Sequence, residues 1–397
     1  MDPRARIAAT NFEGLQDAEH VPHALCDLDS PNAAVRQRAV DSLYARLHRH
    51  GSVDAATVRA VPIIVDIANA PSTPDRHALF ALLAAMLSGL PRNWRDGFNN
   101  NHGSPAGDLV LRIEHEIVRG ARGFASYVRA VDPRIRGTAC ALVGLLCGAP
   151  EFPKALHHQL ATVLRCQLVN EAHPRARASA LLASSLIGHR LGLTDTAELS
   201  RLDLRAQTPI VRLATAAALL RAASSADPAR DLPDHIVDGL SVALDPMSVH
   251  DFPWAGGDPT LLAAEALTFA SEPTTHVHQW SSAEARAVAA LRSLVAARAA
   301  FRDLANTATP IDRAKQRSIV PLSAMLLETA LRAFDGRAEP LQACELSPDQ
   351  LDVVRFIAVD CALDTAYARF GLPPRSELAA FLATAEPRDE LALHATS

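Results

Sequence analysis

The sequence predicts an all-α protein built as a right-handed α-solenoid of helical-hairpin repeats, and three observations lead there. A pattern of cap residue, proline, arginine and alanine-rich apolar face returns along the chain, opening at Pro31, Pro74, Pro133, Pro174, Pro209 and Pro259. Between those prolines the apolar residues recur three and four apart, the spacing of one helix face. Hydrophobic residues make up 49% of the chain and aromatics only 5%, and an apolar content dominated by Ala and Leu suits closely packed helices better than sheet. A solenoid grows without the size limit of a single core, so one domain over 1–397 is expected where most chains of this length divide.

In order, a first helix is expected over 18–28. Ser30-Pro31 then reads as an N-cap followed by a residue pre-set for the first turn, and Val35, Ala39, Leu43 and Leu47, widened by Val40 and Tyr44, form the buried stripe. Gly51 closes that helix. Val58, Val61, Val65 and Ala68 mark its partner, in which Pro62 either kinks the axis or sits in a late first turn. Two such helices cannot bury their faces alone, so neighbours must stack on them.

Thr73-Pro74-Asp75 opens the second pair, with Leu79, Leu82, Leu83, Met86 and Leu87 on its stripe until Gly89 and Pro91 stop it. Residues 91–106, rich in turn formers, read as a polar insertion between the two helices of this pair, with helix resuming near Asp108. The third pair opens at Asp132-Pro133-Arg134, buries Ile135, Ala139, Leu142, Val143 and Leu146, and places its second helix after Pro153. His173-Pro174-Arg175 opens the fourth, with Ala176, Ala180, Ala183 and Ile187 on one stripe and 194–206 as partner. Thr208-Pro209 opens the fifth with Ile210, Leu213, Ala214 and Ala217, and Asp258-Pro259 the sixth, whose second helix is Ser282–Ala299. Residues 300–397 are expected to be atypical C-terminal capping helices.

The opening prolines are separated by 43, 59, 41, 35 and 50 residues, the 59 containing the insertion, and this period lies near that of HEAT and armadillo units. A long coiled coil is excluded by the frequent Pro and Gly punctuation. SPNAAVRQRAVDSLYARLHRHGSVDAATVRAVPIIVDIANAPSTPDRHALFALLAAML, with its Ala60-Val61-Pro62 step, resembles the opening of the HEAT-repeat proteins common in actinomycetes. HDFPWAGGDPTLLAAEAL is similar to the turn before a late repeat in that family, and LSPDQLDVVRFIAVDCALDTAYARFGLP to its C-terminal helices. The resemblance implies a fold over nearly the full length; it brings no catalytic motif with it.

A net charge of −5 and a pI near 6.3 disfavour nucleic acid as partner, since a surface that neutralises phosphates is usually strongly basic. Lys154 and Lys315 are the only lysines, and the richness in Arg, Ala and Pro is what a GC-rich coding sequence supplies. The start lacks the apolar core of a secretory signal and the longest apolar run, 78–87, is half of what spans a bilayer, so no membrane and a cytoplasmic location are expected. The cysteines at 26, 140, 147, 166, 344 and 361 form no CxxC pair and are expected to be reduced core residues.

The insertion supplies the most unusual candidate site. Trp94, Arg95, Asp96, Asn99, Asn101 and His102 combine an aromatic anchor with adaptable hydrogen-bonding groups, although a solvated excursion explains them equally. His250-Asp251 invites a general-base reading, but neighbouring side chains point apart, and Trp254 reads better as a plug between repeats. His276 and His278 offer two metal ligands with no third at recognisable spacing, so no metal or other cofactor is assigned. Glu114, His115 and Glu116 read as a solvated helix face, and no catalytic residue is assigned anywhere.

A solenoid offers its second-helix face as an extended site, here Arg59 and Asp66, then Arg112, Glu116 and Arg119, then His158 and Arg165, then Arg201 and Arg205. That surface is mixed with a positive centre, suited to an acidic partner. The leading expectation is a non-enzymatic scaffold for a protein or peptide, such as an antidote or regulator. Two alternatives stand beside it: a HEAT-like DNA-binding or DNA-glycosylase-type protein, by fold analogy alone, and a small-molecule enzyme with 91–106 as its lid.

Overall fold

The computed structural model describes residues 3–13, 15, 19–47, 55–89, 105–192, 208–226, 234–241, 244–270, 282–299, 309–331, 341–342, 345–358, 372–373 and 375–384. The protein is all-α, and no strand occurs among the described residues. In chain order the helices are α1 Pro3–Ala9, α2 Val21–Asp27, α3 Ala33–Leu47, α4 Ala55–Asn69, α5 Arg76–Gly89, α6 Pro105–Arg119, α7 Ala121–Ser126, α8 Pro133–Leu146, α9 Lys154–Asn170, α10 Pro174–Leu191 and α11 Pro209–Ala226. There follow α12 Asp234–Leu240, α13 Pro259–Ala270, α14 Ser282–Ala299, α15 Pro310–Ala330, α16 Pro348–Ala358 and α17 Arg375–Ala383. None of the described helices is long and apolar enough to cross a membrane.

The helices group into two compact units, the first comprising residues 1–225 and 247–259, the second 226–246 and 260–397. In the first unit α3, α5, α8 and α10, the proline-opened helices, pack side by side in that order, while α4 packs on α6 and α9 on α10. Most of the expected stripes are buried: Ala39, Val40, Leu43 and Leu47 on α3, Val58, Val61, Val65 and Ala68 on α4, and Leu79, Leu82, Leu83, Met86 and Leu87 on α5, whereas Val35 and Tyr44 on α3 are only half-buried. Pro62 lies well inside α4. Helices α8 and α10 approach closely, since a Cβ on Gly144 would meet Ala183 Cα at 2.8 Å. Gly144 lets the backbones touch.

One arginine near the start of each helix of the α3, α5 and α8 series ties the pairs together. Arg36 donates from Nη1 to the carbonyls of Ser30 at 2.8 Å and Pro31 at 3.1 Å, and from Nε to Asp75 at 2.7 Å. Arg136 repeats the geometry, donating from Nη1 to Ala130 at 2.8 Å and Val131 at 2.6 Å, and bidentately to Glu171 at 2.7 and 2.8 Å. Arg76 caps Ala70 and Pro71 in the same register and lies over the Tyr127 ring at 4.1 Å. In each case the guanidinium binds the carbonyls six and five residues upstream and a group further along the chain. Burial alone would raise the Glu171 carboxyl, but the bonds from Arg136 and the His173 amide hold it below its usual value.

Residues 247–259 form a strap that leaves the second unit's sequence and docks in the first. Trp254, 3% exposed, donates from its indole N–H to Ser179 Oγ on α10 at 3.1 Å, and its 3₁₀ turn packs on α5. Asp251 accepts from Arg175 at 2.8 Å, whereas His250 Nε2 lies 3.3 Å from Asp41 on α3. The two neighbours therefore point to different helices, and Trp254 is a packing plug. Around the strap, burial and then Arg134 hold His77 below its usual value.

Several expectations change. Ser30 is not the cap of α3: its Oγ accepts from the Asn32 amide, and Asn32 Oδ1 caps Ala34, so the helix begins two residues after Pro31. An Asx side chain competes well for that place. The insertion is shorter than 91–106, because α6 begins at Pro105. Helices α1 and α7 had no cap or periodic stripe long enough to mark them. Cys140 and Cys147 are buried, burial pushing the Cys147 thiol up to about 12, but Cys26 and Cys166 are exposed, not core. On α9 the leucines at 156, 160, 164 and 168 take the core, and Cys166 falls outside that stripe. Cys344 and Cys361 lie outside the described residues.

In the second unit α14 packs on α15, α15 on α16 and α16 on α17, so three helices occupy the described part of 300–397. The buried Arg298 ties the start of α13 to the preceding segment, donating to Thr260 Oγ1 at 2.7 Å and the Leu244 carbonyl at 2.6 Å. Thr309 and Asp312 form a reciprocal capping box at the start of α15.

Two outcomes test this architecture. Arg136→Ala strands a Glu171 carboxylate only 5% exposed, so it should lower urea-unfolding stability by about 3–5 kcal/mol, the range for breaking a buried pair. Arg36→Ala, whose partner Asp75 is 41% exposed, should cost nearer 1 kcal/mol, the upper range for exposed pairs. The reverse order would show that the ladder does not depend on burial. Trp254→Ala should cost about 3–5 kcal/mol as a core truncation, read by thermal melting, if the strap is part of the first unit's core.

Candidate functional site

The second helices α4, α6 and α9 carry the surface on which the sequence places binding residues. Arg59 on α4, Arg112 and Arg119 on α6, and His158 and Arg165 on α9 are all exposed, and Glu116 is half-buried. They face away from the stripes of their helices: Val110, Ile113 and Ile117 on α6, and Leu156, Leu160, Leu164 and Leu168 on α9. Lys154 and Asp108, exposed at the starts of α9 and α6, fall on the same faces and add a charge of each sign. Arg201 and Arg205 lie outside the described residues, as do Trp94, Arg95, Asp96, Asn99, Asn101 and His102 of the insertion. His276 and His278 lie outside them too.

Part of this surface is internally paired. Arg119 approaches Asp66 at 3.5 Å and Glu116 at 3.1 Å, Arg6 of α1 also pairs with Asp66, and Arg59 donates to the Asn11 carbonyl. The structure thus brings Arg119, Glu116 and Asp66 together. Arg59 is drawn instead toward the N-terminal segment. Among the described residues no group of three or more His, Cys, Asp or Glu is placed to hold a metal ion.

A second cluster was misread from the sequence. Glu114 is not solvated: it is 6% exposed, and its Oε2 has no hydrogen-bond partner. The charged groups facing it are Glu151, from the turn after α8, and Arg190 near the end of α10. Burial first, then Glu151, pushes the Glu114 carboxyl up to about 7, against the opposing pull of Arg190. Arg190 donates to the Gly148 carbonyl at 3.1 Å. His115 Nδ1, on the exposed side of α6, lies 2.5 Å from Glu151 Oε2. The missed signal was spacing, since Glu114 stands four residues after Val110 and four before Val118, on the apolar face.

No known family model matches the chain, and no curated protein is similar to it in sequence.

The raised Glu114 carboxyl has a pH signature of definite sign. Because the folded value of about 7 lies above the unfolded one, the native state holds an extra proton between the two, and stability falls as pH rises across that window. Glu114→Gln removes the penalty. It should stabilise the protein by about 1–3 kcal/mol at pH 8, at about 1.4 kcal/mol per pKa unit, with the gain fading toward pH 4.5. A gain independent of pH would show that Glu114 ionises normally.

Proposed function

We propose that the helix pairs form a right-handed α-solenoid of HEAT-like repeats that acts as a non-enzymatic, cytoplasmic scaffold for an acidic protein or peptide segment. The observation that supports it most directly is the polar row that α4, α6 and α9 turn away from their buried stripes. On those rows Arg59, Arg112, Arg119, Lys154 and Arg165 outnumber Asp66, Asp108 and Glu116, a local positive excess on a chain whose net charge is −5. A local excess of that kind steers an acidic partner and sets its register, while the packed helices beneath keep the donors fixed. The likeness of the opening helices to actinomycete HEAT-repeat proteins supports the same reading. An extended contact surface is what stacked repeats offer.

The test is titration of a fluorescent poly-glutamate peptide at low ionic strength. Binding should weaken with salt and fall roughly tenfold or more in Arg112→Glu/Arg165→Glu, about 1.4 kcal/mol per tenfold, with the melting temperature unchanged. Absence of binding, or equal binding by the variant, would dispose of the acidic-partner reading. Tighter binding to a duplex oligonucleotide than to the peptide would replace it with a nucleic-acid one.

A further inference from the structure

We propose that the partner is an acidic segment carrying an apolar anchor, docked along α9 and the turn before α8, an inference that rests on the acidic-partner reading and adds the partner's chemistry and register. Lys154, His158, Thr162, Arg165 and Val169 follow one another at steps of four, four, three and four residues, so they form one row along α9, and all five are exposed. At 1.5 Å per residue the row is roughly 22 Å long. No Asp or Glu occurs in α9. The acids that bracket it are engaged elsewhere, Glu151 by His115 and Glu171 by Arg136. On α4 and α6, by contrast, Arg119 shares Asp66 with Arg6 and lies 3.1 Å from Glu116, so its charge is met by acids of this chain first.

The far end of the row is apolar. Val169 is 75% exposed, and the turn that carries Val131, 96% exposed, is fastened to the same end of α9. Gln167 donates to the Val128 carbonyl, and one guanidinium, that of Arg136, holds the Val131 carbonyl at 2.6 Å and the Glu171 carboxylate at 2.7 and 2.8 Å. Val131 and Val169 thus share an edge, and among the described residues the other large apolar side chain left exposed is Ile311, in the second unit. A single exposed valine is ordinary; two at the end of an acid-free cationic row mark a contact surface. The combination selects a segment whose carboxylates run along α9 and whose apolar side chain covers the valines. An extended chain, at roughly 3.3 Å per residue, spans the row with about seven residues. Its charges steer the approach and fix the register, while the apolar contact slows release.

The test is fluorescence-anisotropy titration of the full chain with labelled hexa-glutamate peptides that carry Leu-Leu or Ala-Ala at one terminus, each pair made in both orientations. In one orientation the leucine peptide should bind roughly tenfold tighter than its alanine twin, as partial burial of two leucines allows. That ratio should hold as salt rises, while both affinities fall. Val131→Ser/Val169→Ser, altered only at exposed positions, should abolish the leucine advantage and leave the alanine peptide bound as before, with the melting temperature unchanged. Lys154→Ala/Arg165→Ala should weaken both peptides alike. Equal binding of leucine and alanine peptides, or a leucine advantage that survives the valine substitutions, would overturn the anchored segment and leave the acidic-partner reading standing. Absence of binding by every peptide would overturn both. Stronger binding to phosphatidylglycerol vesicles than to any peptide would replace the anchored segment with a membrane surface.

Discussion

The first unit depends on a recurring need to satisfy the carbonyls exposed where one helix pair gives way to the next. Such turns leave acceptors that cannot be paired within either helix, and burying them empty costs more than most side-chain contacts return. Arg36, Arg76 and Arg136 solve the same problem in the same register, each binding carbonyls six and five residues upstream. The remaining face of each guanidinium then reaches forward, to Asp75, the Tyr127 ring and Glu171 respectively. A lysine has donors on one atom only and could not hold both ends. These three arginines are therefore connectors.

Much of this was legible in the sequence because its determinants are local. A cap, a proline and an apolar residue at every third or fourth place fix a helix within a few residues, and α8, α10, α13 and α14 begin where those signals stand. Where local rules compete, the reading slips. Asn32 displaces Ser30 as cap because Ser30 Oγ is taken by the Asn32 amide while Asn32 Oδ1 accepts from Ala34, and α1 and α7 are too short to show a period. What decides α7 is tertiary: Phe124 packs edge-on to Phe80 with ring centroids 5.3 Å apart.

The strap shows the opposite case. Trp254 and Ser179 are 75 residues apart in sequence, and His250 and Asp41 are 209 apart. Nothing in the pattern of either segment encodes such pairings, although the aromatic between two prolines and two glycines announced that something would be plugged. The sequence supplies the plug; the socket includes Gly144 and Ser179, small residues that on their own helices read only as good packing.

Glu114 was illegible for a different reason. Spacing puts it on the apolar stripe of α6, whereas the usual exposure of glutamate puts it at the surface. The structure sides with spacing. An ionised carboxylate at such a place opposes folding, and its neighbour Glu151 adds to the opposition while Arg190 only partly relieves it. Alanine or leucine there would complete the stripe at no electrostatic cost. The packing of the first unit carries that cost, and protonation of the carboxyl relieves it as pH falls.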